Sequence, residues 1–508
     1  MRILPDRASA SDTRFPVLIQ GGMGVGVSNW RLARAVARAG EKLGERVLGV
    51  VSGTGLPVIL VNRLQKGDPD ALRALRAFHP GIAQEIINEY QPPSNGRKGG
   101  PTKLPPKPEV MVTGTPRIRE KMVNLAVASA FVEVWLAREG HGGPIGINLL
   151  EKVQLMQLPV LLGAMMAGVD YVLVGAGIPH QVPAVLAAFA RNETASYRLD
   201  VVGSAEKYTM TLDPRRLLPE GPPLTRPRFL LIASHHALAM RLAATVEVDG
   251  FVMEGPLAGG HNAPARGKAL AEDGQPIYGE KDRPDLAKIA ELGKPFWLAG
   301  GRATAEALAE AQEAGATGIQ VGSAFALCDE SGLLEDVKKR MRDGIEAETL
   351  EVKTSATASP SGFPFQVVQL EGTLADPAVF EARRRVCSLG HLVEAYQKAD
   401  EDGGGIGFRC PAEPVEAFVR KGGEAADAEN RVCLCNGLGA AAGQGRPTAT
   451  GEEPVILTLG KDLTFFDQIE RRADGGYTAE DVVRAILRRQ DNHPADNAGA
   501  LRAEPLRA

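Results

Sequence analysis

Eight short apolar runs, most ending at or beside a glycine, constrain this chain more than any other feature. They occupy residues 17–21, 47–53, 145–149, 171–177, 229–234, 250–255, 296–301 and 318–323. None alternates apolar with polar residues, the pattern expected of parallel strands buried on both faces. Between most of them lie alanine-rich helical stretches at 32–40, 159–168, 182–190, 237–246, 286–293 and 304–315. Four of these close on an Ala-Gly or Leu-Gly stop, as helices commonly do. Eight such units describe an α/β fold of the TIM (β/α)8 barrel type. A doubly wound sheet is the rival arrangement, but eight units with glycines at most strand ends favour closure. A ninth run at 200–203 is weaker and is placed in an excursion before the fifth strand.

The spacing is uneven. A large insertion after strand 2, about 56–143, offers no convincing barrel strand. It offers a helix-like stretch, a Pro/Gly/Lys segment at 91–108 that reads as an exposed loop, and a helix over 117–139. Residues 214–227 form a proline-rich connection. The division expected is a barrel over 1–330 and a mainly helical C-terminal extension over 331–508. Helices are expected at 329–346, 375–399 and 478–489, the last capped by Thr478. Residues 354–364 read as a loop able to fold back over the barrel mouth, 403–405 as a turn, and 490–508 as a fraying end.

Composition removes several classes of function. Apolar residues are 44% and charged residues 24%, which excludes a largely disordered chain. The 58 basic and 62 acidic residues give a net charge of −4, which argues against nucleic acid or an anionic membrane as partner. The N-terminal residues hold no apolar stretch of signal-peptide length, and the longest apolar run, 158–178, is broken by Asp170 and several glycines. A cytoplasmic location is expected.

Barrel active sites lie at the C-terminal ends of the strands. Glycines there let backbone N–H groups approach an anion closely. Leu298-Ala-Gly-Gly-Arg302 and Gln320-Val-Gly-Ser-Ala324 follow the seventh and eighth strands, the recurrent phosphate position of such barrels. Any one glycine loop is explained by its turn alone; the adjacent pair is what points to a phosphate. The sixth strand leads into Glu254-Gly-Pro-Leu-Ala-Gly-Gly-His261, placing one of only eight histidines on a polar loop above the barrel. A loop histidine is ordinarily just solvated, but at a barrel mouth behind two glycines it is placed to face a ligand. Its ordinary pKa suits proton transfer.

Together, "LIQGGMGVGVSNWRLARAVARAG", "LGVVSGTG", "GINL", "VGAGIP", "EGPLAGGH", "LAGG" and "QVGSAF" resemble the nitronate monooxygenase (2-nitropropane dioxygenase) family over roughly residues 15–330. FMN-dependent enoyl-acyl-carrier-protein reductases share its superfamily. The resemblance implies an FMN-dependent barrel in which Gly22 and Met23 lie against the flavin ring and Asn148 hydrogen-bonds it. It places Glu254 where the family usually has Gln near the flavin, with Gly259 in the loop that follows. Gly300, Gly301, Gln320, Val321, Gly322 and Ser323 would hold the phosphate end, Ser323 standing for the more usual Thr. His261 matches the family's active-site histidine, acting as base or proton relay. The family loop usually continues His-Arg-Gly, whereas here residues 262–265 intervene before Arg266 and Gly267. That departure, the insertion and the tail all border the substrate side.

The implied activity is an FMN-dependent monooxygenase acting on alkyl nitronates with O2. The alternatives are an NAD(P)H-dependent enoyl-thioester (enoyl-ACP) reductase and a flavin-binding accessory subunit of a lipid-synthesis system. Expected partners are a nitronate or enoyl thioester, with O2 or NAD(P)H as co-substrate and a homodimer left open. Of the five cysteines, Cys387, Cys410, Cys433 and Cys435 fall in the tail. Without a signal peptide, a disulfide framework is not expected. Zinc or an iron–sulfur cluster is conceivable for four thiols. Cys-x-Cys is not the common knuckle spacing, so free buried thiols and no bound metal are expected.

Overall fold

In the computed structural model the described residues are 14–92, 110–111, 117–218, 223–267, 269–399, 403–448 and 451–487. The expectations for the first thirteen residues, for most of 91–108 and for 490–508 lie outside them.

Eight parallel strands close into a barrel. They are β1 (Leu18–Gln20), β2 (Val47–Ser52), β3 (Ile145–Leu150), β4 (Tyr171–Gly175), β5 (Arg228–Ala233), β6 (Gly250–Glu254), β7 (Phe296–Ala299) and β8 (Gly318–Val321). Each pairs with its neighbours in chain order, and β8 returns to β1 with Leu18 opposite Ile319. Every one of the eight expected runs supplies one of these strands. Their two faces enter different cores. Ile19, Leu48, Val50, Leu173, Leu230, Val252 and Trp297 fill the barrel, while Leu18, Val47, Val51, Val172 and Ile319 meet the helices. Double burial explains why the runs do not alternate. Trp297 closes the lower end by donating from its indole nitrogen to the Pro16 carbonyl at 2.7 Å.

The helices around the barrel are α1 (Trp30–Lys42), α2 (Glu120–Ala137), α3 (Gln157–Met166), α4 (Val182–Ala190), α5 (His236–Ala243), α6 (Leu286–Ala290), α7 (Ala305–Glu313) and α8 (Ala479–Leu487). Thr304 caps α7, accepting from the Ala307 amide. Helix α2 is buried almost all round and packs against α1, α3, β2 and β3. It is therefore the helix joining the second and third strands, and the added material is what precedes it: helices Leu56–Gln65, Pro69–Ala77 and Pro80–Tyr90. Arg63 and Glu133 form a buried ion pair at 2.6 Å that ties this added layer to α2.

The region beyond the eighth strand departs from expectation. It is mixed, not mainly helical. Glu351–Ser355 and Phe365–Gln369 form an antiparallel hairpin, and Glu394–Gln397 pairs with Ile406–Arg409. The expected helix over 375–399 reduces to Pro377–Ala382. Gly390 adopts a positive φ of 66°, and the residues after it are drawn into a strand by partners distant in sequence. One of those partners is Val201–Val202, the weak ninth run, which indeed stands off the barrel. The hairpin pairing Ala195–Leu199 with Tyr208–Leu212 went unforeseen, although its residues alternate buried and exposed. The expected helix over 329–346 begins at Glu335. Helix α8 starts where expected, with Thr478 and Asp481 exchanging reciprocal cap bonds. It lies between α1 and α7, the place of the helix after the eighth strand. Lys42 bonds Glu480 at 2.5 Å, and the Tyr477 hydroxyl donates to the Ala324 carbonyl at 2.8 Å.

Among the described residues no helix is long and apolar enough to cross a membrane.

Candidate functional site

A cavity of about 240 Å3 opens at the C-terminal ends of the strands. All of the residues singled out in the sequence line it: Gly22, Met23, Asn148, Glu254, Gly259, His261, Gly300, Gly301, Gln320, Val321, Gly322 and Ser323.

The loop after β1 is braced by one hydroxyl. Ser28 Oγ donates to the Gly21 carbonyl at 2.9 Å and accepts from the Met23 amide at 2.8 Å and from Gln20 Nε2 at 2.9 Å. That saturates a hydroxyl. A Cβ on Gly22 would stand 2.2 Å from the Asn148 Cβ, so only glycine allows these two strand ends to meet. On the opposite wall Gly300 and Gly301 take φ of 89° and 66°, a region that β-branched residues avoid. Ser323 Oγ accepts from the Gly460 amide at 2.8 Å, leaving its own proton to donate. Gln320 is buried, and its Oε1 has no partner among the described residues. Arg302 and Asp462 also line this end, bringing one cation and one anion.

Glu254 lies on the cavity wall, half-buried by surface area yet deep below the molecular surface. Burial alone pushes its carboxyl up to about 7. The folded chain thus holds a proton between pH 4.5 and about 7 that the unfolded chain has released, and stability falls as pH rises through that window. Glu254→Gln is expected to raise the thermal midpoint more at pH 8 than at pH 5, measured by thermal unfolding at both values. An equal change at both would show that Glu254 ionises normally.

His261 hydrogen-bonds Ser359 through Nε2 at 2.7 Å, and Ser359 Oγ continues to Ser361 Oγ at 2.8 Å. The ring meets Phe365 edge-on at 4.9 Å. Burial lowers its pKa to about 4, so the imidazole is neutral at pH 7. Ser359 and Ser361 belong to the 354–364 loop, which does fold back over the mouth. The loop after β6 is held further by Gly260, whose amide donates to Thr458 Oγ1 at 2.8 Å. A Cβ on Gly259 would stand 2.9 Å from the Leu459 carbonyl carbon, so glycine is required for the 456–462 strap to cross there.

Sequence reasoning missed this tail wall. Helix Leu434–Ala441, the 456–462 strap, His391 and Leu392 all face the cavity. His391 is buried, neither ring nitrogen has a partner among the described residues, and burial lowers its pKa to about 4. The available signal was the scarcity of histidine, one residue beyond the Gly390 turn.

Comparison with known proteins bears on this arrangement. Residues 228–364 match the nitronate monooxygenase family model. The match runs from β5 through the first strand of the hairpin and takes in every candidate flavin-site residue except Gly22, Met23 and Asn148. No curated protein matches the chain. Among solved structures, the nitroalkane oxidase of Streptomyces ansochromogenes is 17% identical, with 94% of this chain and 96% of that one covered at a TM-score of 0.42. FabK from Thermotoga maritima is 14% identical, with 93% and 92% covered and a TM-score of 0.43. The enoyl reductase domain of MlnA from Bacillus amyloliquefaciens is 14% identical over 70% of this chain and 64% of that one, at a TM-score of 0.36.

Proposed function

We infer that the chain is an FMN-dependent oxidoreductase, and we propose that it oxidises alkyl nitronates with O2. One observation carries the reading. Residues from five separate strand ends, chosen for flavin contact and proton transfer, converge on one cavity with a neutral histidine over it.

The wall fits FMN. Gly22 and Asn148 meet on the cavity wall, Gln320 Oε1 lacks a partner among the described residues, and Gly301, Gly322 and Ser323 line one end. With Arg302 paired to Glu310 at 3.2 Å, phosphate contact falls to backbone N–H groups and the Ser323 hydroxyl. When bound, the flavin supplies the two-electron acceptor and the centre at which O2 is reduced. The protein supplies the rest. His261 would accept the proton of the neutral nitroalkane or nitronic acid, leaving the nitronate anion that is oxidised, and Ser359 fixes its ring and continues the hydrogen-bonded line. Glu254 is protonated below about 7, so the cavity gains no negative charge from it in that range. The 354–364 loop and the 456–462 strap cover the mouth and limit water.

A second reading, enoyl-thioester reduction with NAD(P)H, is favoured by the tail wall. Leu392, Leu434, Leu438, Ile456, Leu457 and Phe465 make one side apolar enough for an acyl chain. Anaerobic flavin reduction separates the two. The purified protein is expected to be yellow and to release FMN, not FAD, on denaturation. An alkyl nitronate is expected to bleach the flavin within seconds, with NADPH and NADH slower by orders of magnitude. The reverse order would establish the reductase. FAD, or a colourless chain indifferent to added FMN, would overturn the cofactor assignment.

A further inference from the structure

We propose that Cys387, Cys410, Cys433 and Cys435 form a tetrathiolate centre for a thiophilic metal, set directly behind the tail wall of the barrel-mouth cavity. Spacing along the chain favours free thiols; convergence in space favours a centre. Cys387 follows helix Pro377–Ala382, Cys410 ends the strand Ile406–Arg409, and Cys433 and Cys435 open helix Leu434–Ala441. Three distant segments therefore deliver all four sulfurs to one small pocket. The remaining lining, including Leu389, Leu392 and Val393, offers no competing charged ligand. No disulfide joins any of the four.

Two further observations set this apart from apolar filling. First, the sulfurs interact with one another: Cys410 hydrogen-bonds Cys387, and Cys435 lies within electrostatic range of Cys387, Cys410 and Cys433. Second, backbone amides are aimed at them, from Ala412 to Cys410, from Asn436 to Cys433, and from His391 and Leu392 to Cys435. Amide donors to sulfur stabilise thiolate, the ligand form, and are the usual outer partners of metal-bound sulfur. In a pocket lined otherwise by apolar residues, a bound cation would take up the negative charge of the ligating sulfurs.

Among the described residues the sulfurs are not drawn to ligand distance around a common point. The free space they share, about 10 Å3, is that of roughly one water-sized sphere. One tetrahedral zinc, with Zn–S of about 2.3 Å, needs only that the sulfurs close in. An iron–sulfur cluster uses the same four thiolates and needs the pocket to widen. For zinc the balance is simple: four thiols release four protons as four Zn–S bonds form. Because Cys435 and Leu434 also line the barrel-mouth cavity, the metal would fix the wall carrying His391. The inference does not depend on the flavin assignment.

The test is elemental analysis of the full chain, expressed with zinc and iron supplied and purified without oxygen or chelator. About one zinc per chain, or about four irons with equal acid-labile sulfide, is expected, and the two results distinguish the occupants. Less than about a tenth of either per chain would overturn the proposal. Cys410→Ser, on the side away from the barrel mouth, is expected to lower metal content at least about tenfold. A folded variant with full metal content would overturn it. Should that variant fail to fold, titrating the folded native chain with an organomercurial decides the assignment. Metal released in step with thiol modification supports the centre, and metal retained after all thiols have reacted overturns it.

Discussion

Replacing His261 by alanine is expected to slow flavin reduction by about 10²–10⁴-fold while FMN remains bound. The loss follows from where the ring is held and from its charge. Nε2 is engaged with Ser359 at 2.7 Å, Phe365 holds the ring edge-on, and burial keeps the imidazole neutral until the pH falls toward about 4. A neutral imidazole is the form that accepts a proton. The wild-type rate should therefore fall on the acid side as pH drops through about 4, and should not show a His261 inflection near neutrality. FMN should remain because the walls proposed to hold it come from other strand ends. His261→Asn keeps some hydrogen bonding and should be nearly as slow. Anaerobic stopped-flow measures the reductive half-reaction, and reoxidation by O2 should change much less. Wild-type rates in both variants would reduce His261 to a packing partner of Phe365.

Gly301→Val should leave less than about a tenth of the chains carrying FMN. At φ 66° a β-branched residue is strained, at a cost of about 1–3 kcal/mol. Its Cβ would also stand 3.1 Å from Asp462 Oδ2 and from Leu257 Cδ1. Relieving the strain moves the loop and with it the amides proposed to face the phosphate. Gly322→Val is the informative companion. Gly322 has an ordinary φ of −111°, and a Cβ there would meet only Met23 Sδ at 3.8 Å. The side chain has room in the protein and occupies the space proposed for the ligand. Both variants should lose FMN, but only Gly301→Val should lower the thermal midpoint below that of the flavin-free native chain. Stoichiometric FMN in both would move the phosphate site elsewhere.

The barrel was legible because its strands are buried on both faces and its turns need glycine, two local demands that leave local marks. The cavity wall from Gly22 to Ser323 was legible for the same reason, since strand order dictates which loops meet. What was not legible depends on partners far apart in sequence. Glu394–Gln397 carries helix-compatible residues and becomes a strand only because Ile406–Arg409 and Val201–Val202 flank it. His391 lies in an irregular segment, and its route into the cavity is set by Gly390 and by the helix at Leu434–Ala441, which no periodicity reports. Helix α2 was recognised as a helix, but its role in the ring was hidden by the material before it. Likewise 478–489 was recognised as a helix with its cap, while its place beside α1 needed the closed barrel.

That last placement has a consequence in time. During synthesis β8 leaves the ribosome well before α8, and the intervening stretch, 322–478, takes roughly ten to thirty seconds to make at about 5–20 residues per second. Until then the groove between α1 and α7 lacks its covering helix, and the apolar flank that α8 will cover stays wet. The nascent barrel should therefore be a client for holding factors late in its production. Its ring should become resistant to protease only after Tyr477 and α8 have emerged to bond Ala324 and Lys42.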